Sequence, residues 1–214
     1  MRLIDLSQPI FDDCPNCPEH PPVRSEIIAD HPAVGWRLEK LTLVNHTGSH
    51  VDAPLHKLAG AKSLDDIPLE KWVGPAHLLD LRPCTPDQRI GPGDLAPLLQ
   101  SAGGSLRDRI VLLCTGWGDE RAQTDRWLNH APLLSPAGAQ WLVDQGVRGV
   151  GIDYYSIGDA TVHEILLRNE LWIVEELRFP AEAFTLPQPV EFWTLPVNFK
   201  GHTGAFCRPV IAVR

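Results

Sequence analysis

The chain has 214 residues, of which 43% are hydrophobic and 21% are charged, and its formal net charge is −8. This length and composition are typical of one globular domain, and the acidic balance without any lysine and arginine cluster argues against nucleic-acid binding. Since no apolar run is long enough to cross a membrane and the first residues lack the features of a secretory signal, we expect a single cytoplasmic domain over residues 1–214.

Strand patterns dominate the first part of the chain. Residues 2–10 alternate apolar and polar side chains like an edge strand that ends at Pro9. A proline-rich loop over 11–23 follows, and it is long enough to cover a neighbouring site. The next predicted strand, 36–46, leads into a segment rich in histidine.

The rest of the chain predicts further strands and two helices. A helix over 136–146 ends at Gly146, and a helix over 161–170 begins at a capping Thr161. The predicted strands are 76–82, 109–117, 147–154, 171–177, 190–199 and 208–214. Roughly eight strands with two or three helices indicate a mixed α/β fold.

The five cysteines are scattered, and their odd number favours reduced thiols over a disulfide framework. Cys14 and Cys17 have the C-x-x-C spacing of a thiol redox centre or of half a structural zinc site. Neither alternative is favoured, because no predicted helix follows the pair and no second cysteine pair occurs. No role follows from the sequence for His202 or Cys207 near the carboxyl end.

The segment 46–56, with the sequence HTGSHVDAPLH, carries the strongest chemical signal. It places His46, His50, Asp52 and His56 at the spacing H-x3-H-x-D-x3-H. Imidazole nitrogen and carboxylate oxygen together suit a divalent metal such as zinc, manganese or iron. The alternative is that histidines cluster by chance or cap strands, but three of the nine histidines at this regular spacing favour a metal site.

The geometry of the segment restricts how it can bind one ion. On a straight strand, His46 and His50 would lie about 13 Å apart, which is too far. A helix would bring them to one face, but Gly48 weakens a helix and Pro54 is poorly tolerated inside one. We therefore predict a bent loop, in which Gly48 makes the tight turn and Pro54 stiffens the exit toward His56.

A second pair of donors lies downstream. His163 falls in the predicted helix over 161–170, and Glu175 falls in the apolar strand that follows it. A buried carboxylate is costly unless it is paired, and a helix followed by a returning strand can bring both side chains to one edge of a sheet. His163 and Glu175 can therefore complete the site. The alternative is that His163 caps or packs and that Glu175 ends a strand in water.

The segment 46–56 resembles the HxGTHxDxPxH signature of the cyclase family of metal-dependent hydrolases, which includes bacterial kynurenine formamidases and isatin hydrolases. Ser49 stands where the signature has threonine, and it keeps the hydroxyl group. Weaker landmarks extend the resemblance along nearly the whole chain: 4-IDLSQPI-10, 115-TGW-117, 151-GIDYYSIGD-159, and His163 followed by Glu175.

The resemblance implies a swivelling β/β/α domain that commonly forms dimers, so we expect a homodimer or a higher homo-oligomer. It implies His46, His50 and Asp52 as ligands of a first metal. It also implies that Asp52 can bridge to a second metal, which His163 and Glu175 hold. One or two ions of zinc or manganese are consistent with this pattern.

The resemblance also implies a reaction. His56 matches the general acid/base of the family, and an imidazole with an ordinary pKa near 6.5 suits that role. The expected substrate is a small aromatic amide: first an aryl formamide of the N-formylkynurenine type, second a cyclic amide such as isatin, with a lactone as a further possibility. Trp36, Trp117 and Tyr154 are candidates for stacking on its ring or for the core. A non-catalytic metal-binding or ligand-binding module is the alternative from another class.

Overall fold

Helices and a long mixed sheet make up the protein, as seen in a computed structural model that describes residues 1–102 and 105–213. Within these residues the strands are β1 (Arg2–Asp5), β2 (Arg24–Ala29), β3 (Leu38–Thr42), β4 (His50–Asp52), β5 (Val73–Asp80), β6 (Arg89–Ile90), β7 (Ile110–Cys114), β8 (Leu133–Leu134), β9 (Gly149–Ile152), β10 (Trp172–Glu175), β11 (Val190–Trp193), β12 (Gly204–Phe206) and β13 (Val210–Val213). The helices are α1 (His31–Val34), α2 (Pro92–Ala102), α3 (Asp125–Asn129), α4 (Pro136–Asp144) and α5 (Ala160–Arg168).

The main sheet contains nine strands in the order β1-β13-β11-β5-β7-β9-β10-β4-β12. Its centre, β5-β7-β9-β10, is parallel, and the outer pairings are antiparallel. Two small sheets stand apart from it: β2 with β3, which is antiparallel, and β6 with β8, which is parallel. This architecture confirms the mixed α/β fold class that the sequence predicts.

Apolar runs explain why the central strands are buried on both faces. In β7, Ile110 and Leu112 enter one core cluster, while Val111 and Leu113 enter another on the opposite face. The second cluster also contains side chains of α2, α4 and α5. The first receives side chains from β1 and β12, the two end strands, so both ends of the curled sheet contribute to one core.

Most predicted elements lie where the sequence places them, with shorter bounds. The strand over 2–10 is reduced to β1, which is indeed an edge strand, and residues 11–23 form an irregular loop. After α4 the chain turns at Gly146, whose φ is +73°. The last predicted strand is β13, and Arg214 lies outside the described residues. None of the helices in the described ranges is long and apolar enough to cross a membrane.

Some predictions from the sequence are wrong or incomplete. The strand over 36–46 is shorter, and as β3 it pairs with β2 away from the main sheet. Asp159, rather than Thr161, caps α5, because its side chain accepts hydrogen bonds from the backbone N–H groups of Thr161 and Val162. The helix α2 is unexpected, since Gly93 and Pro97 lower its helix propensity. The strands β4 and β12 are too short for an alternation of apolar and polar residues to show in the sequence, so they are not predicted.

Candidate metal centre

The predicted donors meet where β4 lies between β10 and β12. In the antiparallel pair of β4 and β10, His50 lies opposite Glu175, and Asp52 lies opposite Ile173. Side chains alternate between the faces of a strand. His50, Asp52 and Glu175 therefore share one face, while Val51 enters the core on the other. The strand register thus joins the histidine-rich segment to the downstream carboxylate.

The chain bends before and after β4, as the sequence predicts. Gly48 has φ +63°, a conformation that favours glycine, and the bend brings His46 Nδ1 to 2.7 Å from Asp52 Oδ1. Beyond β4, Pro54 opens a 3-10 turn that ends at His56. The ring centroids of His46 and His56 lie 4.1 Å apart. The predicted bends at Gly48 and Pro54 are confirmed, with a short strand between them.

Backbone carbonyls orient two of the imidazoles. His163 reaches the site from the first turn of α5, and its Nδ1 lies 3.0 Å from the Asp159 carbonyl oxygen. His50 Nδ1 lies 2.8 Å from the Gly48 carbonyl oxygen. Because a carbonyl oxygen can only accept, Nδ1 carries the proton in both rings. Each Nε2 therefore faces the carboxylates, an arrangement common for metal-binding histidines.

The spacing of the donor atoms fits a divalent metal. His50 Nε2 lies 3.3 Å from Glu175 Oε2 and 3.5 Å from Asp52 Oδ1, and His163 Nε2 lies 3.3 Å from Glu175 Oε1. Two ligand atoms of a tetrahedral zinc ion lie about 3.3 to 3.6 Å apart. Asp52 Oδ2 is buried and has no hydrogen-bond partner in the part of the chain that the structure describes. A bound cation would satisfy this oxygen.

Two groups of donor atoms share Asp52. One is His50, Asp52 and Glu175, and the other is His46, Asp52 and His56, with the ligand atoms of each group within 4.8 Å of one another. Asp52 is the residue that belongs to both groups.

Opposite charges compensate one another in this buried place. Burial alone would lower the pKa of His50 and His163, but the hydrogen bond to Glu175 and the charge of Asp52 raise the pKa of each to about 9. Burial acts to raise the pKa of Asp52 and Glu175, and the surrounding imidazoles lower both overall. A cation that binds here must therefore displace protons from the imidazoles.

The carboxyl-terminal tail packs against His46. Thr203 Oγ1 lies 2.9 Å from His46 Nε2, and Gly204 lies opposite Asp52 in the pair of β12 and β4. A Cβ atom on Gly204 would lie 2.6 Å from His46 Cε1 and 2.4 Å from the Val51 carbonyl oxygen. The space that a side chain would fill is therefore occupied by the imidazole. His202, for which the sequence suggests no role, is exposed beside these residues.

A cavity of about 160 Å³ opens onto the donor atoms, and we call it the catalytic cavity. The proline-rich loop contributes Cys17 and His20 to its wall, and the segment after β9 contributes Tyr155 and Ser156. The loop therefore lines the site, as its length suggested. His20 was not singled out from the sequence, because one histidine among prolines has no informative spacing.

Two of the three aromatic candidates, Trp117 and Tyr154, lie in a core cluster, and Trp36 does not. Trp36 is 61% exposed on the β2–β3 hairpin, and Trp117 is buried against Trp127. Tyr154 lines a second, larger cavity beside the catalytic cavity. Tyr155, which was not singled out, lines both cavities and is the aromatic residue that borders the donors.

The Cyclase family model matches residues 4–159, well over half of the chain. The chain belongs to the cyclase family. This confirms the resemblance that the histidine-rich segment indicates. Kynurenine formamidase from Bordetella avium is 30% identical over 182 residues, which cover 82% of each chain. Kynurenine formamidase from Salinibacter ruber is 32% identical over 179 residues, which cover 81% of this chain and 79% of that one.

Solved structures of other proteins share the fold of this cyclase family member. Isatin hydrolase A from Labrenzia aggregata, bound to benzyl benzoate, superposes with a TM-score of 0.85 at 24% identity, over 98% of this chain and 93% of that chain. A potential metal-dependent hydrolase with cyclase activity superposes with a TM-score of 0.77 at 26% identity, over 98% of this chain and 96% of that one. These similarities confirm the fold class.

The contact between Gly204 and His46 gives a first prediction for this cyclase family member. We expect Gly204→Ala to weaken zinc binding by about tenfold or more, because the added methyl group displaces His46. Gly93→Ala is the matched control, since a Cβ there meets nothing within 4 Å. Metal titration of both variants, with circular dichroism to verify folding, measures the effect. A folded Gly204→Ala protein that binds zinc as tightly as the wild-type protein would contradict this prediction.

Proton release gives a second prediction. His50 and His163 have pKa values of about 9, so at neutral pH both hold a proton that a metal must displace. We expect the affinity for Mn²⁺ to rise with pH by up to about tenfold per unit for each proton released, and to level off above the imidazole pKa. Calorimetry in two buffers of different ionisation enthalpy counts the protons. An affinity independent of pH between about 6.5 and 9 would show that these imidazoles do not bind the ion.

Proposed function

We propose that this protein is a metal-dependent hydrolase of aryl formamides, which cleaves a C–N bond other than a peptide bond. The observation that carries the proposal is the convergence of His50, Asp52, His163 and Glu175 in a buried place next to His56. Membership of the cyclase family and the identity of about 30% to kynurenine formamidases support it.

The proposed metal ligands are His46, His50, Asp52, His163 and Glu175. Together they suit one or two ions of zinc or manganese, because they combine imidazole nitrogens with carboxylate oxygens. A bound divalent ion lowers the pKa of a water molecule toward about 7 and polarises a carbonyl oxygen.

We assign the general acid/base role to His56. Its ring lines the catalytic cavity, 5.9 Å between centroids from His163, and one side of it is exposed to solvent. Partial burial lowers the pKa of His56, so the ring is neutral at pH 7 and can accept a proton from the attacking water. Delivery of that proton to the nitrogen lets the aryl amine leave as a neutral group, with formate as the other product.

The test is hydrolysis of N-formylkynurenine, with isatin as the competing substrate. Protein stripped of metal and reloaded with zinc or manganese should regain turnover. We expect His56→Ala to lower kcat by about 100-fold or more while the metal stays bound, because proton transfer is lost. His202→Ala is the matched control, since this exposed histidine bonds only to a backbone carbonyl in the described part of the chain.

Each outcome of this test has a distinct meaning. Metal-dependent turnover that His56→Ala abolishes supports the hydrolase. Faster hydrolysis of isatin than of N-formylkynurenine would indicate that cyclic amides are the preferred substrates. A wild-type protein that binds metal and hydrolyses neither compound would contradict the hydrolase and favour a non-catalytic metal-binding module.

We also propose that the protein is a homodimer whose contact includes the β2–β3 hairpin. Ile27, Ile28, Trp36, Leu38 and Leu41 of this hairpin are between 48% and 62% exposed. A two-stranded hairpin is marginally stable alone in water, and large apolar side chains left exposed together on one hairpin are typical of an interface. Residues 24–42 carry as many basic as acidic side chains, so a second copy is not repelled.

The dimer is tested by placing a charge on the hairpin. We expect Leu41→Asp to convert the dimer to a monomer, because a carboxylate would be buried in the contact. Leu69→Asp is the control, since Leu69 is 67% exposed but lies outside the hairpin. Light scattering after size-exclusion chromatography gives the mass. A monomeric wild-type protein, or a Leu41→Asp dimer as stable as the wild type, would contradict the proposal.

The cysteines support a reducing compartment, and we propose the cytoplasm. The five cysteines are free thiols. Cys14 and Cys17, which have the C-x-x-C spacing, are not joined, although Cys17 lines the catalytic cavity.

A further inference from the structure

A second cavity of about 620 Å³ adjoins the catalytic cavity. Cys17, Tyr155 and Ser156 line both, so the two spaces meet at these side chains. The mechanism proposed above uses only the smaller space, of about 160 Å³, which accommodates the scissile group and its immediate surroundings. A substrate held at the metal ligands can therefore extend past Tyr155 into the second cavity.

The wall between the cavities suits an aromatic ring. The hydroxyl groups of Tyr154 and Tyr155 both donate to the Leu128 carbonyl oxygen at 2.7 Å. Their ring centroids lie 4.1 Å apart, and both rings line the second cavity. Tyr154 is only 3% exposed, so the carbon surface of the Tyr155 ring is the one left for contact with an aryl group.

Two solvent-exposed side chains of opposite charge line the second cavity. Arg89 of β6 and Glu19 of the proline-rich loop both contribute to its wall. Neither side chain forms a hydrogen bond or ion pair with another residue in the ranges 1–102 and 105–213. Asp87, on the same wall, differs because its Oδ2 lies 2.9 Å from His130 Nδ1. A free guanidinium and a free carboxylate together complement a ligand that carries both an anionic and a cationic group.

We propose that Arg89 and Glu19 determine specificity by binding the amino-acid end of the substrate. Arg89 binds the α-carboxylate, and Glu19 binds the α-ammonium group. This inference rests on the proposed function, because the formamide must lie at the metal ligands for the rest of the molecule to enter the second cavity. The preferred substrate is then an aryl formamide with a zwitterionic substituent rather than a simple formanilide.

The experiment compares three substrates that share one aryl ketone. N-formyl-L-kynurenine carries the whole amino-acid group, its deaminated analogue keeps only the carboxylate, and 2-formamidoacetophenone has neither. We expect Arg89→Gln to lower kcat/KM about tenfold or more for both carboxylate-bearing substrates, mainly through KM. Its effect on 2-formamidoacetophenone should stay within about twofold, because uncharged contacts do not change.

Glu19→Gln separates the role of the ammonium group. We expect it to lower kcat/KM several-fold for N-formyl-L-kynurenine alone, since a carboxylate facing an ammonium group lacks the bidentate geometry of a guanidinium on a carboxylate. Arg107→Gln is the matched control. Arg107 is exposed and precedes β7, so it lies at the end of the parallel strands opposite the site. Its substitution should therefore leave kcat/KM unchanged for all three substrates.

The outcomes distinguish this inference from the proposed function. Turnover of all three substrates with equal kcat/KM, or an equal loss on all three in Arg89→Gln, would overturn the inference and leave the hydrolase intact. Absence of turnover with every substrate would overturn the proposed function and this inference with it. A selective loss on carboxylate-bearing substrates supports both.

Discussion

The antiparallel pairing of β4 with β10 is the constraint on which the site depends. This register places His50 opposite Glu175 on a buried face, where an unpaired charge would be strongly destabilising. Two carboxylates in such a place need positive charge nearby. The raised pKa values of His50 and His163 supply it as protons, and a bound divalent ion would supply it in their place. The same contacts therefore stabilise the fold and make metal binding a competition with protons.

The sequence predicted the parts of the site that are determined locally or by the cost of burial. The bends at Gly48 and Pro54 follow from the conformational limits of glycine and proline within one short segment. Glu175 was identified because a carboxylate in an apolar strand needs a partner, and His163 was the histidine that a preceding helix could bring to it. The fold class followed from the number of predicted strands and helices, and the nine-stranded sheet with its helices confirms it.

Other parts of the site were beyond sequence reasoning because they depend on contacts between distant segments. Thr203 and Gly204 contact His46 only because β12 pairs with β4, and β12 is too short to show a pattern. His20 and Tyr155 line the catalytic cavity from two irregular segments, in which apolar side chains show no helical or strand repeat. The exposed hairpin is a related case, since the apolar side chains that suggested an ordinary strand over 36–46 cover no core of this chain.

The end of β10 links the proposed metal ligands to the loop that lines both cavities. Glu176 has φ +53°, and it directs its carboxylate to Arg121, away from the site that Glu175 faces. Arg121 lies 3.2 Å from this carboxylate and donates to the carbonyl oxygens of Pro9 and Pro15 at 2.8 Å. Both side chains of the ion pair are almost fully buried, so the contact is poorly screened by solvent. The proline-rich loop is therefore fixed relative to the proposed metal ligands, as a substrate that spans both cavities would require.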